Sequence, residues 1–216
     1  MKVISKFGSL GNVLEIGFGD GALTKHLLPM ADEYWGIEPG EDCFARTVKD
    51  RGINPEKAFC IKAEDMRETK QLMSRKNSFD LIILVSVLEH LSVPAQILET
   101  CHGLLKPGGR LFLSTPNSQN FKIFYGLRRL MGIDAWSVAH ISFFKKSNLR
   151  FMFSHIGFDI DDIFLAPLIT PYSIRYFKEL YNSSLLGFCM SCFRRLRLDS
   201  LLNINTFNVV LTKKNN

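Results

Sequence analysis

No apolar run in this 216-residue chain reaches the roughly 20 residues that a membrane-spanning helix needs. The longest is Leu81 to Leu88, so nothing is expected to cross a bilayer. Cysteine is scarce and odd in number, five in all at irregular spacing, which argues against a disulfide framework. No cleavable leader pattern follows Met1, and with the cysteine count this gives a cytoplasmic expectation. Low-complexity tracts and internal repeats are missing as well, and 46% hydrophobic against 22% charged residues argues against disorder away from the termini. Length and composition are those of one domain, residues 1–216.

Acidic residues run short in one half only. Residues 1–119 hold 14 Lys+Arg against 15 Asp+Glu, whereas 120–216 hold 13 against 6, so the net charge of +6 sits in the second half. Such a surplus suits an anionic partner such as a phospholipid surface or a phosphorylated carrier, or consists of solvated lysines. No nucleic-acid recognition module accompanies it, and no nucleic acid partner is expected. Cys189 and Cys192 form a C-x-x-C, but without a second pair or a neighbouring histidine they read as packing residues.

What is present is a strict alternation. Val13–Ile16 reads as a short strand, followed by a glycine-rich turn and a helix from about Ala22 to Leu28 ended by Pro29. A second strand, "EYWGIEPG", ends in Glu38, and a helix follows from Glu41 to Arg51. "KAFCIKAED" reads as a third strand and "FDLIILVSVLEHL" as a fourth, whose unbroken apolar character places it inside a parallel sheet covered on both faces. A helix with Ile97, Leu98, Leu104 and Leu105, a Pro-Gly-Gly stop and a fifth strand at Arg110–Ser114 complete the repeat. Further on, a helix ends at Gly157, a strand "FDIDDIFLA" follows, and "NTFNVVLTKK" closes the chain. The pattern predicts a doubly wound, mostly parallel seven-stranded α/β sheet with an antiparallel C-terminal hairpin. A helical insertion at 167–202 interrupts the hairpin. A ligand belongs at the carboxyl ends of the strands.

The turn "GFGDG" carries Gly17, Gly19 and Gly21 and needs positive φ and close backbone approach to a ligand. Gly17, Gly19 and Ala22 also fit the G-x-G-x-x-G/A dinucleotide fingerprint, so a nicotinamide-dependent oxidoreductase stays an alternative, although no Tyr-x-x-x-Lys or comparable hydride-transfer set is visible. Glu15 at the strand end puts negative potential beside the loop, which disfavours a pyrophosphate and favours a cationic ligand.

Taken together, "VLEIGFGDG", "GIEP", "KAED", "FDLIILVSVLEHL", "LLKPGGRLFLSTPN" and the "HISFF" to "GF" segment resemble the class I S-adenosylmethionine-dependent methyltransferases over almost the full chain. The nearest branch contains the ubiquinone-biosynthesis O-methyltransferases and many sugar and natural-product methyltransferases. The resemblance implies S-adenosyl-L-methionine as cofactor and the hydroxyl of a small or carrier-linked molecule as acceptor. It implies that Gly17, Phe18, Gly19 and Gly21 approach the methionine half of the cofactor, with Glu15 orienting the loop. It places Glu38 and Pro39 at the ribose, Ala63 and Glu64 at the adenine edge, and the backbone of Val85 and Ser86 against the cofactor. Asp65 reads either as part of that edge or as the cap of the following helix.

A hydroxyl acceptor has a proton to shed, and His90 and His140 are the candidate bases, each equally readable as a hydrogen-bonded structural histidine. His26, His102 and His155 read as incidental helix residues. In the quinone methyltransferases that the chain resembles, an E-x-x-E-H set can hold a divalent cation. Here Ser86 occupies the first position and no metal is expected. Asn117, Phe121, Tyr125 and Trp136 are candidates for the acceptor pocket. The insertion, with Arg194, Arg195 and Arg197 beside an apolar helical surface, reads as a lid, an oligomer contact or an anionic-membrane contact. Only 12 residues precede the first strand, so the cofactor cover comes from the insertion or the site is open. A non-catalytic subunit that binds cofactor or partner alone is the second alternative.

Overall fold

Residues 9–118, 140–167 and 205–214 are described by the computed structural model of the chain. The proposed insertion, the Cys189–Cys192 pair, and Phe121, Tyr125 and Trp136 lie outside them. The first strand, β1 (Asn12–Ile16), pairs in parallel with β2 (Glu33–Ile37) on one side and β4 (Phe79–Val85) on the other. A short β3 (Ala58–Phe59) flanks β2, β5 (Leu105–Pro116) runs parallel to β4, and the antiparallel pair β6 (Phe158–Pro167) and β7 (Asn205–Lys213) closes the far side. The resulting seven-stranded order is β3-β2-β1-β4-β5-β7-β6. Strand order reverses between β1 and β4, which opens a crevice at their carboxyl ends.

Side-chain alternation assigns each face its own core. Leu14, Ile16, Trp35, Ile37, Ile82 and Leu84 point to one face, packed beneath α4 (Pro94–Leu104) and α5 (Lys146–Ile156) through Ile97, Leu98, Cys101, Leu149 and Phe153. Val13, Tyr34, Leu81, Ile83 and Val210 point to the other, under Leu27 of α1 (Thr24–Leu27) and Phe44 and Val48 of α2 (Glu41–Arg51). Both faces are covered, as the apolar β4 sequence requires. A single helical turn, α3 (Lys70–Met73), adds buried Leu72. Helix α2 ends where Gly52 turns left-handed (φ +67°) and its N–H and that of Ile53 return to the carbonyls of Lys49 and Val48, a stop built on glycine's freedom at positive φ.

Several boundaries differ from expectation. The first helix is one turn, Thr24–Leu27, running into a 3-10 turn at Leu28–Met30 that holds Pro29 where no N–H is needed. Strand β3 keeps only two residues because it has only Gly36 and Ile37 to pair with; Ala63–Glu68 form a 3-10 turn. Strand β4 stops at Val85. Ser86 adopts φ +55°, and Leu88–His90 are a 3-10 turn, so the Leu-Glu-His stretch is not strand. Strand β5 starts earlier than its Pro-Gly-Gly suggests: Leu105 pairs with Phe79, Lys106–Gly109 bulge out, and pairing resumes at Arg110 opposite Leu81. Lys106 Nζ bridges both Asp80 oxygens at 2.8 and 2.7 Å, pinning that bulge to β4.

Candidate active site

The glycine loop leaves β1 at Gly17, whose N–H donates to the Ile37 carbonyl at 2.7 Å, as does that of Phe18 at 3.2 Å. Gly17, Gly19 and Gly21 have φ of +75°, +52° and +72°. A Cβ on Gly17 would stand 2.5 Å from Val87 Cγ2, whereas one on Gly19 would meet nothing within 4 Å. Gly17 is thus squeezed between β1 and the β4 turn, while Gly19 faces open space. Glu38, immediately after β2, accepts the Gly19 N–H at 2.9 Å through Oε2 and the Gly40 N–H at 3.0 Å through Oε1. Pro39 is exposed beside it. One carboxylate therefore ties the loop after β1 to the loop after β2.

Two residues that sequence reasoning missed hold the loop from the helix side. Thr47, 2% exposed, donates its hydroxyl to the Gly19 carbonyl at 2.8 Å, and Arg51 Nη2 donates to the Asp20 carbonyl at 3.2 Å. The signal was a hydroxyl and a guanidinium at i, i+4 on one face of α2, which carries no pointer to the loop by itself.

Glu15 lies elsewhere than the rim. Its carboxyl is buried, accepting from Thr24 Oγ1 at 2.8 Å and Tyr34 Oη at 2.7 Å. Burial raises its pKa to about 7 against the lowering pull of those two hydroxyls, so near neutrality it is only partly ionised. Burial also keeps Tyr34 protonated as the donor. The carboxyl that touches the loop is therefore that of Glu38, not Glu15, which corrects the placement of Glu15 beside the loop. Phe18, 3% exposed, packs on Gly36 and lies 5.8 Å from Phe44 between ring centroids, so it presents only backbone to the rim.

On the far side of the crevice, Ala63 is buried and Glu64 half-buried, its Oε1 accepting from Ser92 N–H and Oγ at 3.2 Å each. Asp65 caps nothing: Lys62 stands at the cap position of the 3-10 turn, and no side chain caps it. Val85 and Ser86 are exposed at the end of β4, and the Ser86 N–H donates to the Ser114 carbonyl at 2.9 Å.

Beyond Ser86 the chain assembles a polar cluster. The Glu89 carbonyl accepts two N–H groups, from Ile141 at 2.9 Å and Ser142 at 3.0 Å, and Ser142 Oγ donates to the Leu91 carbonyl at 2.9 Å. This clasp brings His140 against His90, ring centroids 4.8 Å apart at 66°. The Glu89 side chain, 2% exposed, accepts from Thr115 Oγ1 at 3.1 Å, and burial raises its pKa. Burial lowers that of His140, with a smaller push from the charge of His90. Glu89, His90 and His140 offer ligand atoms within 4.8 Å of one another. Asn117 is buried and pairs with Phe144 in an isolated bridge, four residues beyond His140.

A family model described as a methyltransferase domain matches residues 2–163. The ubiquinone biosynthesis O-methyltransferase of Pseudomonas aeruginosa (strain LESB58) is 31% identical over 105 residues, 49% of this chain and 44% of the relative; the chain thus covers less than half of that protein. A protein of the same description from Hydrogenovibrio crunogenus is 27% identical over 187 residues, 81% of this chain and 75% of its own. A SAM-dependent methyltransferase structure from Archaeoglobus fulgidus matches with a TM-score of 0.62 at 17% identity, covering 98% of this chain and 90% of that one.

Proposed function

The chain belongs to the class I S-adenosylmethionine-dependent methyltransferases, and on that premise we propose that it transfers the methyl group to a hydroxyl of a small or carrier-linked acceptor, of quinone, sugar or other natural-product type. S-adenosylmethionine, its cofactor, supplies an electrophilic methyl on a sulfonium when bound. The residues at the rim fit that donor: Gly19 faces open space on a left-handed backbone, and Glu38 offers a carboxylate already oriented by two N–H groups. Glu38 is assigned to the ribose hydroxyls, and Ala63 and Glu64 to the adenine edge. The backbone of Gly17, Phe18, Gly19, Gly21, Val85 and Ser86 lines the path between them.

The observation that carries O-methylation is the packed pair His90–His140 beside the end of β4. Bound cofactor would offer its methyl group to an acceptor hydroxyl held beside the end of β4, where an imidazole nitrogen of the pair would accept the hydroxyl proton. Because burial lowers the His140 pKa, its basic form persists to a pH below the ordinary histidine range. The names of the ubiquinone-biosynthesis relatives support a hydroxyl acceptor.

Incubation of the purified chain with methyl-labelled S-adenosylmethionine and a panel of catechol-type, sugar and extract acceptors tests this reading. Label should pass to a hydroxyl, and changing both histidines to Gln should slow transfer about a hundredfold or more with cofactor affinity unchanged. Cofactor binding without transfer to any acceptor would support the non-catalytic subunit, and label on carbon or nitrogen would overturn the hydroxyl assignment.

A further inference from the structure

Two donors of a single residue converge on one oxygen of Glu64. The N–H and the Oγ of Ser92 each reach its Oε1 at 3.2 Å, and Oε2 has no hydrogen-bond partner among the described residues. The carboxylate is thus held on one side only.

From this geometry we infer that Ser92 is a positioning residue that makes the site select a 6-aminopurine over a 6-oxopurine, by holding Glu64 with Oε2 turned to the base. The inference rests on the reading of Glu64 as the residue at the adenine edge.

The Ser92 contact is not what attaches the Ala63–Glu68 turn to α4. Arg67 does that, donating from Nε to Thr100 Oγ1 at 2.8 Å and from Nη2 to the Gln96 carbonyl and to Glu99 Oε2 at 3.0 Å each, while Ala63 and Met66 are buried beneath the turn. With the turn already fixed, the two longer bonds from Ser92 add the orientation of one side chain. Ser92 is itself well placed to orient it. The preceding Leu91 is buried, its N–H donates to the Leu88 carbonyl at 3.4 Å, its carbonyl accepts Ser142 Oγ at 2.9 Å, and α4 starts two residues further on at Pro94. Glu64 is half-buried and Ser92 exposed, so the pair lies where a ligand can reach it. A glutamate side chain is rich in rotamers, and fixing one before the ligand arrives lowers the ordering cost of binding. Fixing it also sharpens discrimination. A carboxylate oxygen accepts and cannot donate, so the amine on C6 of adenine satisfies it, whereas an oxo group on that carbon sets acceptor against acceptor. A 6-oxopurine carries its donor one atom away, at N1, and a carboxylate free to swing could shift to meet it. Ser92 prevents that shift.

The test is calorimetric titration of the purified full chain with S-adenosylhomocysteine and with S-inosylhomocysteine, the same molecule with oxo in place of the C6 amine. The wild type should favour the adenosyl compound by about tenfold or more. Ser92→Ala should lower that ratio about threefold or more, with the melting temperature held because the side chain is exposed, and Ser92→Thr, which keeps the hydroxyl, should retain it. In a Glu64→Ala background the further change Ser92→Ala should leave the ratio where it is. An unchanged ratio in Ser92→Ala overturns the inference, and so does a loss of affinity for both compounds by the same factor, the mark of a merely structural residue. The two readings fail separately. If Glu64→Ala lowers the ratio and Ser92→Ala does not, only the role of Ser92 falls; if Glu64→Ala leaves the ratio unchanged, the placement of Glu64 at the adenine edge falls and takes the inference with it.

Discussion

Replacing Glu15 by Gln should remove one component of the pH dependence of stability. The carboxyl lies under the glycine loop, 3% exposed, and burial raises its pKa from 4.5 to about 7. A carboxyl whose pKa is raised in the folded state binds a proton more tightly there than in the unfolded chain. Its contribution to stability is full below pH 4.5 and is lost as pH rises through about 7. A displacement of that size, at about 1.4 kcal/mol per pH unit, is worth on the order of 3 kcal/mol. Gln keeps the oxygen that accepts from Thr24 and Tyr34 and removes the ionisation, while its buried NH₂ costs about 1–3 kcal/mol where no acceptor meets it. The variant should therefore be less stable than wild type at pH 5 and equal or more stable at pH 8, the difference moving by about 3 kcal/mol across the window. Urea unfolding at matched pH values reads this directly, and the difference between the two proteins cancels other titrating groups such as Glu89 and His140. Parallel stability curves from pH 4.5 to 8 would refute the buried-carboxyl account. Cofactor affinity at pH 8 should stay within about twofold, because the carboxyl serves Thr24 and Tyr34 beneath the loop.

Glu38→Ala removes the acceptor of the Gly19 and Gly40 N–H groups and the proposed partner of two ribose hydroxyls, so calorimetric S-adenosylmethionine affinity should fall tenfold or more; unchanged affinity removes Glu38 from the site. Gly17→Ala puts a Cβ 2.5 Å from Val87 Cγ2 on a backbone at φ +75°, so it should cost about 1–3 kcal/mol in unfolding experiments. Adding Val87→Ala should recover the steric part and leave the backbone part, and full recovery would show that the positive φ carries no cost.

Legibility in the sequence followed the range of the interactions. Helix α2 was readable to the residue, because Glu41 and Asp42 in its first turn and Gly52 at its end act within the helix itself. The mostly parallel sheet and its two covered faces were readable from the alternation of strand and helix and from the apolar run that opens at Leu81, whereas the strand order came from the structure. The end of β4 was not. Its apolar character continues through Val87 and Leu88, and only the left-handed turn at Ser86 breaks it, a conformation nothing in the composition announces. Strand β5 hid its first residue for the opposite reason: Lys-Pro-Gly-Gly reads as a stop, whereas Lys106 on Asp80 turns it into a bulge inside one strand. At the site, Glu38 and the glycines were legible as a local motif. The anchors Thr47 and Arg51 and the clasp between Glu89 and Ile141–Ser142 were not, since each depends on a partner brought close only by the fold.

The position of Glu38 also shows which carboxylate touches the loop. Glu15 faces two hydroxyls under α1 and is partly protonated near neutrality, so it contributes little field at the loop. Glu38 reaches across to Gly19 and occupies the loop amide that a diphosphate would otherwise claim. Each of its oxygens accepts one backbone N–H and retains a second lone pair, enough for a vicinal diol to bind without displacing either contact. A pyrophosphate arriving at the same amide would have to displace that carboxylate. The placement of that carboxylate follows from where the second strand ends, one residue before Glu38, and from the backbone donors that hold the side chain over the loop.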